Sequence, residues 1–369
     1  MAASTEDRVT VQPRVDICIP AYNEAKGIGT VLDSLRQQTY RNIRVFVQDN
    51  ASTDATPDIC AAVAAQDERF VLRRNAINVG GIDNIPRALA NADADFVMLR
   101  SGNDVLTADC VEKLMAAMLA DDNVAMAYSR AILVDSQSGE ARLIPDHFYF
   151  RTRAGDTLNA ATTVMQRYTY SPAFYGLCRR SAMDKCRAIV HQYGLDHIRT
   201  CELALYGGIA LVDEPLVRMH SNPHWQDMLR MAINQCEDHN RGLPLDSGFA
   251  PRIQYMPFVH MVWGHFDMFG KARIDPALKE PLCAAARDIF AHRFGAFIER
   301  EIQTYAARLS ETIDDLNAGR RVFGELERGY FLRTVLTDMH RAGLVAPKNN
   351  ALKDLRHAVI ATIERAIGA

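Results

Sequence analysis

Three short polar segments, each placed directly after an apolar run, hold the side chains of this chain that are best suited to chemistry. They are PAYNE at 20–24, DNASTD at 49–54 and SGND at 101–104. Their carboxylate and amide groups accept hydrogen bonds, and their oxygen atoms are of the hard kind that Mg²⁺ and Mn²⁺ bind. The segments therefore predict a site for a polar ligand, with oxygen atoms available to a divalent cation.

The apolar runs that precede these segments must position them. The runs lie at 15–19, 43–47 and 96–99, and helical patterns separate them. Runs of this length between helices are typical of buried parallel strands. Because the ligand of an open doubly wound sheet sits outside the carboxyl ends of the strands, we expect the three segments to converge on one crevice.

Apolar residues spaced by three or four predict the helices between these strands. Two stripes are long and two are short: Ile28, Val31, Leu32 and Leu35; Val111, Leu114, Met115, Met118 and Leu119; Ile59 and Val63; Ile85 and Leu89. Pro57 suits a first helical turn, and Thr107 is predicted to cap the helix that follows it. The order β-α-β-α-β-α-β-α predicts a right-handed, doubly wound α/β fold.

Composition sets outer bounds on the class of protein. A chain of 369 residues suits one large domain with an appendage, or two domains. A net charge of −3 offers no basic footprint, so we expect no nucleic-acid partner. Eight cysteines without a C-x-x-C pair favour reduced thiols, and no run approaches the roughly 20 apolar residues of a membrane span. We therefore expect a cytoplasmic protein that is at most peripheral to the inner face of the membrane.

Five motifs between residue 15 and about residue 130 resemble the nucleotide-sugar-binding half of the family-2 glycosyltransferases, the inverting GT-A type. The motifs are ICIPAYNE, LDSLRQQTYRNI, VFVQDNASTD, NVGGIDN and ADFVMLRSGNDVLT, in the family's order and spacing. The resemblance implies a Rossmann-like, mostly parallel sheet of GT-A type with a C-terminal helical extension. It divides the chain into a tail at 1–14, a glycosyltransferase domain at 15–224 whose halves meet near residue 130, and a helical region at 225–369.

The donor-binding residues follow from this resemblance together with side-chain chemistry. Asp49 can accept a hydrogen bond from a base N–H, Tyr22 offers a ring face to the base, and Glu24 can reach a ribose hydroxyl. Uridine and thymidine both carry a suitable N3–H, which favours a UDP- or dTDP-sugar as donor. The predicted nucleotide-sugar-binding residues are Pro20, Ala21, Tyr22, Glu24, Asp49, Asn50, Ser52, Asn78, Gly80, Arg87, Ser101, Gly102 and Asn103.

The segment SGND departs from the family's pattern. The family carries a carboxylate pair here, because a divalent cation that bridges two phosphates needs hard oxygen ligands. The paired positions are Ser101 and Asn103 in this chain, and only Asp104 keeps a charge. We predict a weakly held Mn²⁺ or Mg²⁺ ion on Asn103, Asp104 and His220, since a residue at the position of His220 completes the metal or diphosphate shell in GT-A enzymes.

Simpler or different roles remain open for these segments. Residues 49–54 suit an ordinary Asx or Ser turn that caps the next helix, and SGND suits a tight turn in which Asp104 caps the following helix. The cationic side chains of Lys26, Arg87 or Arg100 are an alternative to a metal for stabilising a diphosphate leaving group.

Asp196 is the predicted catalytic residue. The segment at 193–220 resembles the family's acceptor-side helix, whose leading acidic residue is the general base, and Asp196 occupies that position. An inverting transfer needs one base to take the proton of the attacking acceptor hydroxyl, and the start of a helix favours a charged carboxylate. The alternative role for Asp196 is a helix N-cap, and Glu202 is the second candidate for the base.

The rest of the chain gives structural expectations. We predict a strand at 131–134, a turn at 135–140, a strand-to-helix element at 174–183 and a buried core segment at 258–269. A stripe every three or four residues predicts a long helix that packs on a neighbouring helix, with a homodimer seam as the alternative. The stripe consists of Ile298, Ile302, Tyr305, Leu309, Ile313 and Leu316.

The resemblance implies an inverting glycosyltransferase that moves a sugar from a nucleoside-diphosphate sugar to a saccharide or lipid-linked acceptor. Family analogy alone extends this to bacterial cell-surface polysaccharide biosynthesis. The alternative from another class is an inactive sugar-nucleotide-binding scaffold, because Ser101 and Asn103 replace the paired carboxylates. Binding of a nucleoside diphosphate without transfer or hydrolysis of any donor distinguishes the scaffold from the enzyme.

Overall fold

The computed structural model describes residues 12–170, 172–189, 193–221, 256–320, 325–353 and 355–367. These residues form two compact units. The first comprises residues up to 154 together with 170–185 and 206–220, and the second comprises 155–169, 186–205 and residues from 221 onward. The predicted tail at 1–14 and the predicted boundary at 224–225 lie almost wholly outside the described residues.

The first unit is built on a sheet whose described part has nine strands in the order β3-β2-β1-β4-β8-β6-β9-β5, with β7 beside β6. The strands are β1 Val15–Ala21, β2 Ile43–Asp49, β3 Phe70–Arg74, β4 Phe96–Leu99, β5 Val105–Leu106, β6 Val124–Asp135, β7 Ala141–Leu143, β8 Leu177–Arg179 and β9 Gly208–Ser221. Strand β1 pairs in parallel with β2 and β4, and β2 pairs in parallel with β3. The strands that follow pair antiparallel, β8 with β4 and β6, β7 with β6, and β9 with β5.

The helices of the first unit alternate with its parallel strands. They are α1 Ile28–Arg36, α2 Thr56–Gln66, α3 Gly81–Leu89, α4 Cys110–Leu119 and the short α6 Arg180–Met183. The predicted α/β fold is therefore confirmed, and Pro57 lies in the first turn of α2 as expected. The predicted cap of α4 is wrong, because Thr107 lies two residues before the actual N-cap, Asp109. The Thr107 hydroxyl instead donates to Asp109 Oδ1 at 2.7 Å.

The core of the first unit explains why its central strands are continuous apolar runs. Val15, Ile17 and Ile19 have no exposed surface, as expected for a parallel strand covered on both faces. Asp16 interrupts this run and is also fully buried, but its carboxylate accepts the backbone N–H groups of Asp93 at 2.7 Å and Ala94. A buried carboxylate that is hydrogen-bonded in this way is compatible with the core. Asp16 lies at the amino end of β1, away from the polar segments.

The second unit is helical. Its helices are α5 Thr157–Arg167, α7 Leu195–Ala204, α8 Pro257–Lys271, α9 Lys279–Asn317, α10 Glu325–Val345 and α11 Leu355–Ile367. Helix α9 packs against α5, α8 and α11, and the predicted stripe from Ile298 to Ile313 is buried inside the chain. The predicted core segment at 258–269 lies in α8 and is largely buried. None of the helices within the described ranges combines the length and the hydropathy needed to cross a bilayer.

Candidate functional site

The first two polar segments form one bonded layer at the carboxyl ends of β1 and β2. Ala21 lies opposite Asp49 in the sheet, so both strands end at the same level. Beyond this pair, the backbone N–H of Asn23 donates to Ser52 Oγ at 2.9 Å, and that of Glu24 donates to Thr56 Oγ1 at 2.8 Å. The hydroxyl groups of Ser52 in the second segment and of Thr56 at the start of α2 thus hold the backbone of the first.

The third segment lies against the first. An added Cβ at Gly102 would approach Glu24 Cγ to 3.0 Å, so only a glycine fits between the two segments without displacement. Burial raises the pKa of Glu24, and the negative charges of Asp54 and Asp104 raise it further. The three segments therefore meet at one edge of the sheet, as the sequence predicts, and their acidic groups influence one another.

The loop before α3 is tied to the second segment through Asn50. The Asn50 amide donates to Asn78 Oδ1 at 2.8 Å and to the Gly80 carbonyl at 3.2 Å, and it accepts the Val79 N–H at 3.0 Å. Gly80 has φ +88°, a conformation that L side chains rarely adopt. Hydrogen bonds from Asn50 to Asn78 and Gly80 thus shape the loop, and all three residues are ones predicted to bind the nucleotide sugar.

Sequence reasoning missed the amide groups beneath this loop. The Asn75 amide donates to Asn50 Oδ1 and to Asn84 Oδ1, each at 2.8 Å, and accepts from Gln48 at 3.0 Å. All four side chains are buried. The available signal was a polar residue, Gln48, between the second apolar run and the polar segment that begins at Asp49.

Asp49 is buried and already paired. Its Oδ2 lies 3.0 Å from Arg74 Nε and accepts the Ser52 N–H at 3.2 Å. Arg74 also donates to the Ser52 carbonyl at 2.8 Å, while about half of its own side chain is exposed, 51 %. The alternative of an Asx-type turn at 49–52 is therefore present, and a base N–H reaches Asp49 only when Arg74 shifts or shares the carboxylate. Sequence reasoning missed Arg74, although it ends β3 level with Asp49.

The only charged residue of SGND is enclosed by protein groups. Asp104 is 3 % exposed, its Oδ1 accepts the backbone N–H of His220 at 3.1 Å, and its Oδ2 lies 3.9 Å from Arg100 Nη2. Burial raises the pKa of Asp104 despite the opposing effects of Arg100 and His220. The alternative that Asp104 caps the next helix is wrong, since its partner is the backbone of β9 and not the start of α4.

The predicted metal-binding residues lie together, but their donor set is weak. The His220 ring nitrogen Nδ1 is 2.7 Å from the Asn103 carbonyl oxygen, which only accepts, so Nδ1 is the donor of this bond. A metal-binding histidine commonly makes this kind of second hydrogen bond. The side-chain Oδ1 of Asn103, however, accepts the Ser101 hydroxyl at 2.6 Å. Across the part of the chain that the structure describes, no three His, Cys, Asp or Glu side chains form a metal-binding group.

The remaining donor-side residues differ in exposure. Pro20 and Ala21 end β1, and the Tyr22 ring beyond them is 41 % exposed, so it is more open than a packing role requires. Arg87 is exposed on α3. Arg100 is 1 % exposed and donates to the Tyr175 carbonyl at 3.3 Å, so it lies beneath SGND.

Asp196 belongs to the second unit and lies in the first turn of α7. The N-cap of this helix is Gly194, with φ +71°, and an added Cβ there would come within 2.6 Å of Met261. The alternative role of Asp196 as N-cap is therefore wrong by two positions. Its Oδ2 accepts the Tyr168 hydroxyl at 3.1 Å.

Glu202, the second candidate base, serves the structure of α7. It is 2 % exposed, and its Oε1 accepts the backbone N–H of Arg187 at 2.9 Å. Its Oε2 lies 3.7 Å from Arg199 Nη1. A carboxylate enclosed in this way is poorly placed to meet an acceptor hydroxyl.

Comparison with known proteins agrees with this architecture. The sequence model of the family described as Glycosyl transferase family 2 matches residues 16–185. The putative glycosyltransferase EpsH of Bacillus subtilis is 31 % identical over 104 residues, which is 28 % of this chain and 30 % of that protein. The abequosyltransferase RfbV of Salmonella typhimurium is 30 % identical over 99 residues, 26 % of this chain and 29 % of that protein. The alignments thus span about a third of these relatives.

Solved structures show the same fold over most of the chain. The crystal structure of S. aureus TarS 1–349 in complex with UDP-GlcNAc has a TM-score of 0.57 at 15 % identity and covers 96 % of this chain and 89 % of that one. The crystal structure of TarS 1–349 alone has a TM-score of 0.53 with the same coverage and identity. The fold is thus of the GT-A type, and the family model of Glycosyl transferase family 2 matches the segment at 16–185 within it.

Proposed function

We propose that this protein is an inverting glycosyltransferase that transfers a sugar from a nucleoside-diphosphate sugar to a saccharide or lipid-linked acceptor. The observation that carries the proposal is the meeting of three polar segments and the Asn78–Gly80 loop at the carboxyl ends of parallel strands, within the family-matched residues. Ligands of open α/β sheets bind at such an edge. The named glycosyltransferase relatives support the reaction class.

The nucleoside would bind over Asp49 and Arg74. Tyr22 has an exposed ring to stack on a base, and the Asp49–Arg74 pair offers an acceptor beside a donor. A uracil or thymine base presents an N–H next to a carbonyl oxygen, which matches that pair. We therefore propose UDP- or dTDP-sugars as donors, and Glu24 as the partner of a ribose hydroxyl.

The diphosphate would be bound beside SGND. Asn103 and Nε2 of His220 fit Mn²⁺ or Mg²⁺ when phosphate oxygens complete the shell, but the one carboxylate of SGND, Asp104, is buried. When bound, such an ion neutralises the leaving diphosphate. The exposed cations Lys26 and Arg87 are suited to the same charge.

Asp196 is the proposed general base, which takes the proton of the acceptor hydroxyl as that oxygen attacks the anomeric carbon. It lies at the positive end of α7, where a carboxylate is favoured in its charged form, and it accepts one hydrogen bond from Tyr168. We extend the proposal to bacterial cell-surface polysaccharide biosynthesis, in the cytoplasm or at the inner face of the membrane, on the analogy of the relatives.

The test is a donor screen with purified protein. UDP-, dTDP- and GDP-sugars are offered with saccharide and lipid-linked acceptors, in Mn²⁺ and in EDTA, and nucleotide release and product anomer are measured. We expect transfer with inversion from a uridine or thymidine donor.

A second candidate, a sugar-nucleotide-binding scaffold, is favoured by one observation. Arg100 lies beside Asp104, so SGND offers little net negative charge for a metal. Binding of a nucleoside diphosphate with neither transfer nor hydrolysis of any donor would establish the scaffold instead.

A further inference from the structure

Asp196 is held from outside its own helix by a buried tyrosine. The Tyr168 hydroxyl donates to Asp196 Oδ2 at 3.1 Å, and the Tyr168 side chain is 2 % exposed. Its ring packs edge-on against His197, with the ring centres 5.0 Å apart. A hydroxyl so enclosed fixes the rotation of the carboxylate to which it is bonded.

Tyr168 is in turn held by α9. It forms the C-cap of α5, where the last carbonyl groups of a helix lack partners within the helix. Arg293 of α9 supplies donors: it bonds the Met165 carbonyl, the Tyr168 carbonyl at 2.9 Å and Thr169 Oγ1 at 2.9 Å. One guanidinium thus fixes the end of α5 from which the Tyr168 ring extends.

Neighbouring imidazoles complete the enclosure. His197 Nδ1 lies 2.9 Å from His265 Nε2 of α8, and His265 Nδ1 is bonded to the Met261 carbonyl at 2.8 Å. Burial lowers the pKa of His197, and it lowers the pKa of His265 to about 4. Neither imidazole therefore titrates near neutral pH.

We infer that Tyr168 is a positioning residue that orients Asp196, and that Arg293 holds Tyr168 in place. The inference rests on the proposed function of Asp196 as the base. It also assigns a role to α9, whose Arg293 fixes the end of α5 that carries Tyr168.

The test is the pH profile of kcat for Tyr168→Phe, which keeps the ring and removes only the hydroxyl. We expect kcat to fall about 10-fold or more across the profile, while donor KM stays within about 2-fold. Tyr168→Phe added to Asp196→Asn should lower kcat no further. Arg293→Lys should change kcat in the same direction but less.

Tyr305→Phe is the matched control. Tyr305 is a buried tyrosine of the same unit whose hydroxyl donates to Asp338 Oδ2 at 3.2 Å. The variant therefore loses a similar tyrosine–carboxylate hydrogen bond, but one made to Asp338 and not to Asp196. It should keep the wild-type pH profile, and thermal unfolding checks that every variant is folded. Wild-type kcat and profile in Tyr168→Phe, with Asp196→Asn inactive, would overturn this inference and leave the proposed function standing. Wild-type turnover in Asp196→Asn would overturn both.

Discussion

The two candidate regions of this protein are built in opposite ways. In the first unit several hydrogen bonds join the polar segments to one another and to the loop before α3, and Ser52 and Asn50 each take part in more than one of them. The second unit contributes one carboxylate, Asp196, oriented by a tyrosine 28 residues earlier. Several polar groups held together by hydrogen bonds can contact a ligand at many points, which suits binding. A single carboxylate held in one orientation suits proton transfer. Changes in the crevice should therefore alter affinity, and changes around Asp196 should alter turnover.

The largest expected effect is that of Asp196→Asn. Because an amide cannot take the acceptor's proton, kcat should fall roughly 10²–10⁴-fold while donor affinity stays nearly unchanged. Asn keeps the size of the side chain, and Asp196 is not an N-cap, so unfolding temperature should hardly change. Steady-state kinetics and calorimetric titration with the donor measure the two quantities. Asp288→Asn, an exposed carboxylate of α9, is the control.

The next effect concerns affinity alone. Asp49→Ala removes the proposed acceptor of the base N–H and the carboxylate that pairs with Arg74, so nucleoside diphosphate binding should weaken by roughly 1–3 kcal/mol. Calorimetry with UDP and dTDP measures this loss, and Asp58→Ala, exposed on α2, should bind normally. Equal affinity in Asp49→Ala would mean that Asp49 only forms the turn with Ser52.

A third change tests whether the low charge of SGND limits its affinity for a metal ion. Ser101→Asp with Asn103→Asp restores two carboxylates, which should tighten Mn²⁺ binding in the absence of nucleotide by about 10-fold, since Mn²⁺ prefers hard anionic oxygen ligands. In the wild-type protein, binding of Mn²⁺ should be measurable chiefly with the diphosphate present. Titration of Mn²⁺ with and without UDP separates the two cases. Full transferase activity of the wild type in EDTA would show that cationic side chains replace the ion.

The same contrast explains what the sequence could predict. The strands at 15–21, 43–49 and 96–99 and the helix at 28–36 follow from local periodicity, so pattern alone located them and the edge where their polar segments meet. Arg74 over Asp49 and Arg293 at the end of α5 depend on strand register and helix packing between residues 25 and 125 apart. Spacing in the sequence carries no information about such pairs. Asp104 bonds to the backbone of β9 and caps no helix, whereas Thr107 and Asp196 each lie two positions from the N-cap of their helix.

The smallest expected effect concerns the loop that Asn50 holds. Gly80 has φ +88° and open space around a Cβ, so Gly80→Ala creates backbone strain without a clash and should lower the free energy of unfolding by about 1–2 kcal/mol. The next residue is the matched control: Gly81 begins α3, has no positive φ and also has open space, so Gly81→Ala should be neutral or slightly stabilising. Denaturant unfolding measures both. If the loop only supports the crevice, Gly80→Ala will weaken UDP binding by less than Asp49→Ala does and leave kcat at saturating donor unchanged. A fall in kcat comparable with that of Asp196→Asn would contradict the division of binding and turnover between the two regions.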